Sequence, residues 1–254
     1  MLGERLVVVA DAHLGYAPPE VEAALLEFLD AVPSLGDSLL INGDLFEFWF
    51  GYARVIPRRG FRVAAALAQL ARRLPIVLVG GNHDRWGLRF WDDLGIRFAP
   101  HRAEFRLGAR RVLALHGDAA GSGRRRSELL LRVVSTGVAG ALYRALHPEL
   151  ALPLVERLSS RFTDHATEGP SVERCARRQR AWAERLLAED PSVGLLVMGH
   201  SHRPALVEAA PGRQYLNPGA WFDGFRYAVA DPRGAELRRF TPSAPLPPGP
   251  ADRR

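Results

Sequence analysis

The sequence has one cysteine, no lysine and no long apolar run, and each absence narrows the choice of protein class. The single Cys175 excludes an internal disulfide framework and a thiolate metal cage, so a bound metal would need imidazole and oxygen ligands. No stretch of about eighteen apolar residues is present, and the N-terminus lacks the pattern of a secretory signal. We therefore expect a cytoplasmic protein that is neither secreted nor membrane-spanning.

All 34 basic residues are arginine, and the chain of 254 residues carries a net charge of +6. A basic surface attracts nucleic acid, an anionic substrate or an anionic membrane surface. The same composition, which is also rich in alanine, glycine and proline, is typical of a GC-rich genome. The charge alone therefore does not select a partner.

Short apolar runs that end at polar clusters predict buried strands. These runs are Leu6 to Ala10, Leu39 to Ile41, Ile76 to Val79, Val112 to Leu115 and Leu195 to Met198. Helical patterns cover Glu20 to Ala31 and Phe61 to Arg73. Strand-like segments after residue 204 predict a second sheet region, at Ala205 to Glu208, Gln214 to Leu216, Tyr227 to Ala230 and Glu236 to Phe240. The expected fold is an α/β domain over residues 1–241, with polar residues collected beyond the strand ends.

Residues 119–190 predict a helical insertion, because they carry helical patterning and no convincing strand. An apolar residue recurs at every fourth position from Leu130 to Leu146, and again from Leu150 to Phe162. The tail over residues 242–254 is rich in proline, glycine and charge, and it is predicted to be disordered.

Five polar clusters each follow one of the predicted buried strands. They are Asp11-Ala12-His13, Asn42-Gly43-Asp44, Gly81-Asn82-His83-Asp84, His116-Gly117-Asp118 and Gly199-His200-Ser201-His202. One histidine near a strand is usually structural, but five in such settings indicate a metal site. Residues i and i+2 of an extended segment point the same way, so the pair Asp11 and His13 and the pair His200 and His202 are each expected to hold one ion.

The order of these clusters resembles the calcineurin-like metallophosphoesterase superfamily, whose pattern is D-x-H, G-D, G-N-H-D/E, H and G-H-x-H. The resemblance implies a sandwich of two β-sheets flanked by helices, with two divalent ions that hydrolyse a phosphoester. It assigns the first ion to Asp11, His13, Asp44 and His202, and the second to Asp44, Asn82, His116 and His200. Asp44 would bridge the two ions. Mn²⁺ is the expected metal, with Fe and Zn as alternatives.

His83 and Asp84 are the candidate catalytic residues. His83 follows the expected ligand Asn82, where it could stabilise developing charge or protonate the leaving oxygen. Asp84 could orient the His83 imidazole, or it could cap a helix that begins at Arg85.

Four further residues belong to no strong motif. Asp118 is expected either to hold the tautomer of the expected ligand His116 or to form a turn. His101, His147 and His165 fall outside every motif, and we do not expect them to be ligands.

Two segments, Asn42 to Trp49 and Gly199 to Pro204, resemble the UDP-2,3-diacylglucosamine hydrolases, which are pyrophosphatases of the lipid A pathway. That family carries a helical insertion that caps the site and receives acyl chains. The resemblance implies a nucleotide-lipid substrate and contact with the cytoplasmic face of the inner membrane. Two departures are visible: the family commonly has arginine where this chain has His83, and Ala119 to Arg126 replaces a polar, aspartate-containing segment.

The candidate substrate-binding residues each have a structural alternative. Arg124, Arg125 and Arg126 could bind a pyrophosphate or a membrane surface, or they could begin a solvated helix. Trp49 could line an acyl or uracil pocket, or it could belong to the core edge. Leu142 and Leu146 are expected to face acyl chains from a lid over residues 124–164, unless the apolar stripes only pack on each other.

Two other functions compete with the lipid substrate. A phosphodiesterase or phosphomonoesterase could act on another substrate, but the long apolar helices after residue 128 disfavour a nuclease, so nucleic acid is not the expected partner. A noncatalytic scaffold with the same fold is disfavoured because every expected ligand is present.

Overall fold

The computed structural model of the protein describes residues 2–52, 54–87, 89–121 and 165–243. Within these residues, eleven strands form two sheets, accompanied by five α-helices and a 3-10 turn at Arg58–Gly60. The predictions for Arg124, Arg125, Arg126, His147, Leu142 and Leu146 lie outside the described residues, as does the tail beyond residue 243. The backbone N–H of Ser243, at the start of the predicted disordered tail, donates a hydrogen bond to Glu27 Oε1 at 2.8 Å.

The first sheet has six strands in the order β11-β10-β1-β2-β3-β4. Four of them run parallel: β1 (Leu6–Val9), β2 (Ser38–Asn42), β3 (Ile76–Val79) and β4 (Arg97–Ala99). The strand β10 (Arg226–Ala230) pairs antiparallel with β1, and β11 (Ala235–Arg239) pairs antiparallel with β10. The carboxyl ends of β1, β2 and β3 therefore meet at one edge.

The second sheet has five strands in the order β5-β6-β7-β9-β8. Its central strands run parallel: β6 (Arg110–Leu115), β7 (Leu195–Val197) and β9 (Arg213–Asn217). The antiparallel strands β5 (Arg102–Leu107) and β8 (Ala205–Ala210) form its two edges. The four segments predicted after residue 204 are all strands, but they do not form a separate sheet, because β8 and β9 join the second sheet while β10 and β11 join the first.

The two sheets pack face to face between helices. Side chains alternate along β1, so Leu6 and Val8 lie in the core between the sheets while Val7 and Val9 face the helical side. That outer side is covered by α1 (Pro19–Leu35), α2 (Phe61–Ala71) and α3 (Phe90–Asp93). The predicted α/β sandwich of two sheets flanked by helices is confirmed.

Two further helices lie at the two ends of the predicted helical insertion over residues 119–190. The short helix α4 (Asp118–Gly121) follows β6, and α5 (Pro170–Glu189) covers the outer face of the second sheet. Ala183 and Leu187 of α5 are fully buried and pack with Leu196 and Tyr215. Helix α5, which lies in the predicted helical insertion over residues 119–190, is thus part of the domain body. No helix among the described residues is both long enough and apolar enough to span a membrane.

Candidate metal centre

The five polar clusters lie where the carboxyl ends of parallel strands from both sheets meet. The loops after β1 and β2 are joined by backbone hydrogen bonds, from Asp11 N to Gly43 O at 3.0 Å and from His13 N to Asp44 O at 3.0 Å. The loops after β6 and β7 are joined in the same way, because Gly199 N donates to His116 O at 2.8 Å. Strand pairing therefore brings together clusters that are far apart in the sequence.

Five of the expected ligands have an uncommon backbone conformation. Their φ angles lie between 44° and 64°, in the left-handed region, and the residues are Asp11, His13, Asp44, His200 and His202. Residues other than glycine rarely adopt this region, and such strain concentrates at functional sites. The expectation that Asp11 to His13 and His200 to His202 are extended is therefore wrong.

The side chains form two main groups, in each of which the ligand atoms lie within 4.8 Å of one another. One group, called here the first half, contains Asp11, His13 and His202, and the other, the second half, contains Asp44, His116 and His200. Asp11 and His13 lie in the same half, whereas His200 and His202 fall into different halves, which contradicts the expected pairing of these two histidines. The resemblance to the superfamily implied the same division.

Asp44 lies between the two halves. Its Oδ2 atom is 3.0 Å from His116 Nε2 and 3.8 Å from His13 Nε2. Asp11 Oδ1 lies 3.7 Å from His202 Nε2 and 4.0 Å from His116 Nε2. A carboxylate in the position of Asp44 is able to bridge two cations.

Three atoms test whether the site fits a divalent metal. His13 Nε2, His116 Nε2 and Asn82 Oδ1 are buried and have no partner in hydrogen-bonding geometry among the described residues. Burying a polar atom without a partner is costly, whereas an imidazole nitrogen or an amide oxygen is a good ligand for a divalent transition metal. The residues therefore fit a metal ion of this class.

In three histidines, Nδ1 takes part in a hydrogen bond, and this bond fixes the direction in which the ring presents Nε2. His116 Nδ1 donates to Asn42 O at 3.0 Å, and His202 Nδ1 donates to Ala166 O at 3.0 Å. His13 Nδ1 lies 2.9 Å from Glu47 Oε2. Such hydrogen bonds select the tautomer in which Nε2 is available as a ligand.

Burial and mutual charge strongly perturb the pKa values of these groups. Burial raises the pKa of Asp11 to about 8, and it lowers the pKa of His200 to about 4 and that of His202 to about 3. Burial opposes a charged His116, but the Asp44 and Asp11 carboxylates raise its pKa to about 10. Against the effect of burial, His116 and His83 hold the pKa of Asp44 well below its usual range. Buried charge of this density is the kind that a bound cation compensates.

The family described as calcineurin-like phosphoesterase matches residues 4–204 of this chain. The chain belongs to this family. It is similar to the UDP-2,3-diacylglucosamine hydrolase of Sodalis glossinidius (strain morsitans), with 29% identity over 235 residues that cover 92% of this chain and 97% of the relative. The enzyme of the same name from Shigella sonnei (strain Ss046) is 31% identical over 222 residues, which cover 81% of this chain and 85% of the relative.

Solved structures with similar folds include YfcE, a phosphoesterase from E. coli, and Vps29 from Chaetomium thermophilum. YfcE has a TM-score of 0.43 and 17% identity, with 89% of this chain and 88% of YfcE covered. Vps29 has a TM-score of 0.45 and 15% identity, with 92% of this chain and 86% of Vps29 covered.

In this calcineurin-like phosphoesterase, His83 is held by the backbone carbonyl of Glu47 and the carboxylate of Asp44 rather than by Asp84. His83 Nδ1 donates to the carbonyl oxygen of Glu47 at 2.8 Å, and its backbone N–H donates to Asp44 Oδ1 at 3.0 Å. The expectation that Asp84 orients the His83 imidazole is therefore wrong.

Asp84 instead joins two backbone loops of the site. Its carboxylate accepts hydrogen bonds from Gly81 N at 2.7 Å and Leu45 N at 2.7 Å. No described helix begins at Arg85, so Asp84 is not a helix cap either. Burial and the nearby Asp44 raise the pKa of Asp84 to about 6. Asp84 positions the loop that carries Asp44.

Asp118 and Trp49 also differ from their functional interpretations. Asp118 forms an ion pair with Arg85 at the start of α4, and His116 is held by Asn42 instead. Trp49 is only 1% exposed and stacks on Phe46 within the core cluster beneath α2. The core alternative for Trp49 is therefore favoured over a substrate pocket.

Two residues at this site were not singled out from the sequence. Glu47 Oε2 contacts His13, and His165 Nε2 lies 2.7 Å from the same oxygen. The His165 side chain is 8% exposed, whereas the other described histidine outside the motifs, His101, is exposed. Glu47 carries no motif of its own, and only the folded chain brings His165 back to the site. The only available signal was that an acidic residue follows the Gly43-Asp44 motif.

Proposed function

We propose that this phosphoesterase hydrolyses the pyrophosphate linkage of UDP-2,3-diacylglucosamine with two divalent metal ions, Mn²⁺ being the expected metal. The observation that carries the proposal is the convergence of the expected ligands where strand ends of both sheets meet, with the ligand atoms His13 Nε2 and Asn82 Oδ1 buried and without a hydrogen-bond partner among the described residues. Relatives named for this substrate align with up to 92% of the chain. The long alignment favours a shared substrate over a shared fold alone.

The residues of the metal centre would have separate roles in holding the two ions. Asp11, His13 and His202 would hold one ion, while Asn82, His116 and His200 would hold the other, with Asp44 between them. When bound, such a pair of ions polarises phosphoryl oxygens and activates the attacking water. Asp84 keeps the Asp44 loop in place through its hydrogen bond from Leu45 N.

His83 would act on the phosphoryl group through its Nε2 atom. Because Nδ1 donates to the Glu47 carbonyl, only Nε2 is left to face a substrate. In the imidazolium form Nε2 is also a donor, so it would stabilise charge on a phosphoryl oxygen or transfer its proton to the leaving oxygen. His83 lies in a close group with His13 and Asp44, which supports a role for it next to the metal centre.

We also propose contact with the cytoplasmic surface of an anionic membrane. Among the described residues, five large hydrophobic side chains are exposed. Four of them lie in the two connections that lead from a strand to the next helix: Tyr16 lies between β1 and α1, and Val55, Ile56 and Phe61 lie between β2 and the first turn of α2. These connections start at the strand ends that carry the metal centre. The exposed Arg54 and Arg58 flank Val55 and Ile56, and the combination of apolar and basic side chains suits an anionic lipid surface.

The substrate proposal is tested by comparing three substrates with Mn²⁺-loaded protein. We expect hydrolysis of UDP-2,3-diacylglucosamine, and little or no hydrolysis of single-stranded DNA. Because each buried methylene contributes about 0.8 kcal/mol, removing a few acyl carbons should raise KM steeply. Leu142→Asp and Leu146→Asp change residues that are expected to face the acyl chains. Hydrolysis of a small aryl phosphodiester, which has no acyl chain, should therefore stay unchanged in these variants. Activity on DNA alone, or KM values independent of acyl length, would contradict the proposed substrate.

The membrane proposal is tested by co-sedimentation with vesicles that contain phosphatidylglycerol. Phe61→Ser and Ile56→Ser should lower the bound fraction, because each removes apolar surface from the same connection. Leu237→Ser is the matched control, since Leu237 is also exposed but lies on β11. Equal losses in all three variants would show that the connection has no special role.

A further inference from the structure

The first half of the metal centre is held by residues that come from two distant parts of the chain. Glu47 Oε2 lies 2.9 Å from His13 Nδ1 and 2.7 Å from His165 Nε2. The next residue, Ala166, accepts a hydrogen bond from His202 Nδ1 at 3.0 Å. The pair His165 and Ala166, called here the return segment, therefore contacts His202 directly and His13 through Glu47.

The chemistry of these contacts fixes the tautomers of two expected ligands. An ionised carboxylate and a backbone carbonyl only accept hydrogen bonds, so both must receive a proton from the histidine nitrogen that faces them. His13 and His202 therefore carry their protons on Nδ1 and expose Nε2. The buried Nε2 of His13 has no hydrogen-bond partner among the described residues, which is what a ligand nitrogen requires.

The His165 ring is itself fixed by a second contact. It stacks on Tyr16 with a centroid distance of 3.5 Å and an interplanar angle of 7°. Tyr16 belongs to the loop of the first half, because its backbone N–H donates to His13 O at 3.0 Å. The ring also meets the His13 ring edge to face at 4.9 Å. The return segment therefore packs on the loop that carries His13, the expected ligand that it helps to orient.

We propose that Glu47 and His165 are positioning residues for the ion of the first half, so that the affinity for this ion depends on the docking of the return segment. The inference rests on the proposed dinuclear function. The second half provides the contrast, since His116 is held by the carbonyl of Asn42 at the end of β2. Changes at Glu47 or His165 should therefore act on one ion and spare the other.

A competing role for the same residues is a third cation site. His13, Glu47 and His165 offer atoms close enough together to hold an ion. However, Glu47 Oε2 lies at hydrogen-bonding distance from both His13 Nδ1 and His165 Nε2, so these facing atoms are already paired. The pairing favours orientation of His13 over binding of another ion.

The test measures Mn²⁺ binding to metal-free full-length protein by calorimetric titration. The parent protein should bind two ions. Glu47→Gln should weaken one of them by about 10–100-fold, the usual effect of removing a hydrogen-bond partner of a ligand histidine, and leave the other nearly unchanged. His165→Ala should weaken the same ion less, because Glu47 remains. His165→Gln should recover part of that loss, since its amide can still donate to Glu47.

Two controls separate positioning from general damage. His101→Ala removes an exposed histidine away from the site and should change neither ion. The Asp11→Asn and Glu47→Gln double variant should still bind one ion tightly, because both changes act on the first half. Thermal unfolding of the metal-free variants reports folding, and the His165→Ala and His165→Gln pair carries the test if Glu47→Gln does not fold.

Histidine nitrogen NMR of the metal-free protein gives a readout independent of activity. The parent should show His13 as the Nδ1-protonated tautomer, and Glu47→Gln should shift that population. Two bound ions with unchanged affinities in the variants, or equal weakening of both ions, would overturn the inference alone. A third ion that is lost in His165→Ala would also overturn it. Fewer than two ions on the parent protein would refute the dinuclear function together with this inference.

Discussion

The two halves of the metal centre are built from different kinds of structure. In the second half, His116 is held by backbone at the ends of strands: Asn42 O accepts the hydrogen bond from His116 Nδ1, and Gly199 N donates to His116 O. The first half depends on the side chain of Glu47 and on the return segment. The first half therefore combines sequence-distant elements, while the second half follows directly from sheet pairing.

This difference predicts a difference in robustness. Hydrogen bonds between adjacent strand ends form whenever the sheet forms, so the second half should persist as long as the domain is folded. The return segment belongs to no strand or helix, and irregular segments open at lower free energy than core strands. The first half should therefore be the first part of the centre to respond to substitution.

The largest effect is expected at the residue that both halves share. Asp44→Asn removes negative charge beside both His13 and His116. A metal centre contributes several kcal/mol to transition-state stabilisation, so kcat should fall by about 10⁴-fold. Elemental analysis should find both ions weakened, whereas Asp11→Asn should affect mainly one. Equal and mild losses in Asp11→Asn and Asp44→Asn would show that Asp44 does not bridge.

The next effect concerns a residue that belongs to neither half as a ligand. His83→Ala should lower kcat by about 10²–10⁴-fold, because it removes one group that stabilises charge or transfers a proton in the transition state, while both ions stay bound. Metal content and kcat should be measured on the same samples. His83→Arg should keep part of the activity if the role is electrostatic. A parallel fall in metal content and kcat would mean that His83 retains metal instead.

A third substitution acts mainly on the second half, although Gly43 O also accepts the backbone hydrogen bond from Asp11 N. A Cβ atom at Gly43 would lie 2.3 Å from His116 Nδ1, so Gly43→Ala must displace the ring. We expect about 10–100-fold weaker binding of one ion, the counterpart of Glu47→Gln in the first half. Gly15→Ala is the matched control, because Gly15 also has a positive φ but a Cβ atom there would meet no other atom within 4 Å. Similar losses in both variants would attribute the effect to backbone strain.

The sequence was sufficient for the features that depend on local pattern. Apolar runs such as Ile76–Val79 are continuous because both faces of the strand are buried, and they were recognised for that reason. Strand β5 was missed because it alternates exposed arginines with buried residues such as Phe105, as an edge strand with one buried face does. The clusters at the strand ends were found because each follows a recognisable buried run.

The sequence was not sufficient for features that depend on how loops return. The predicted pairing of His200 with His202 was wrong because the fold places the two side chains in different halves, and their φ angles of 64° and 58° are not visible in the sequence. Asp84 bonds to amides of the Asp44 loop, which no local pattern connects to it. His165 reaches Glu47 across a long stretch of chain. Each of these contacts is set by tertiary packing.

The smallest expected effect distinguishes stability from metal binding. Gln179 on α5 is fully buried, and its Nε2 donates to Gly199 O at 3.0 Å and to Gly117 O at 3.2 Å. It thus ties α5 to the loops after β6 and β7 that carry His116 and His200. Gln179→Ala removes two hydrogen bonds, although the two carbonyls still accept from Asn217 Nδ2 and Ala120 N, so the free energy of unfolding should fall by about 1–3 kcal/mol.

Both ions should nevertheless still bind to folded Gln179→Ala protein, since the hydrogen bond from His116 Nδ1 to Asn42 O does not involve Gln179. Urea denaturation and Mn²⁺ titration of the same preparation would measure the two effects separately. Gln69→Ala is the matched control, because Gln69 is an exposed glutamine on α2 and its loss should change stability little. Gln179→Ala protein of unchanged stability that no longer binds the ion of the second half would show that this half also depends on a side chain of α5. The proposed difference between the two halves would then be wrong.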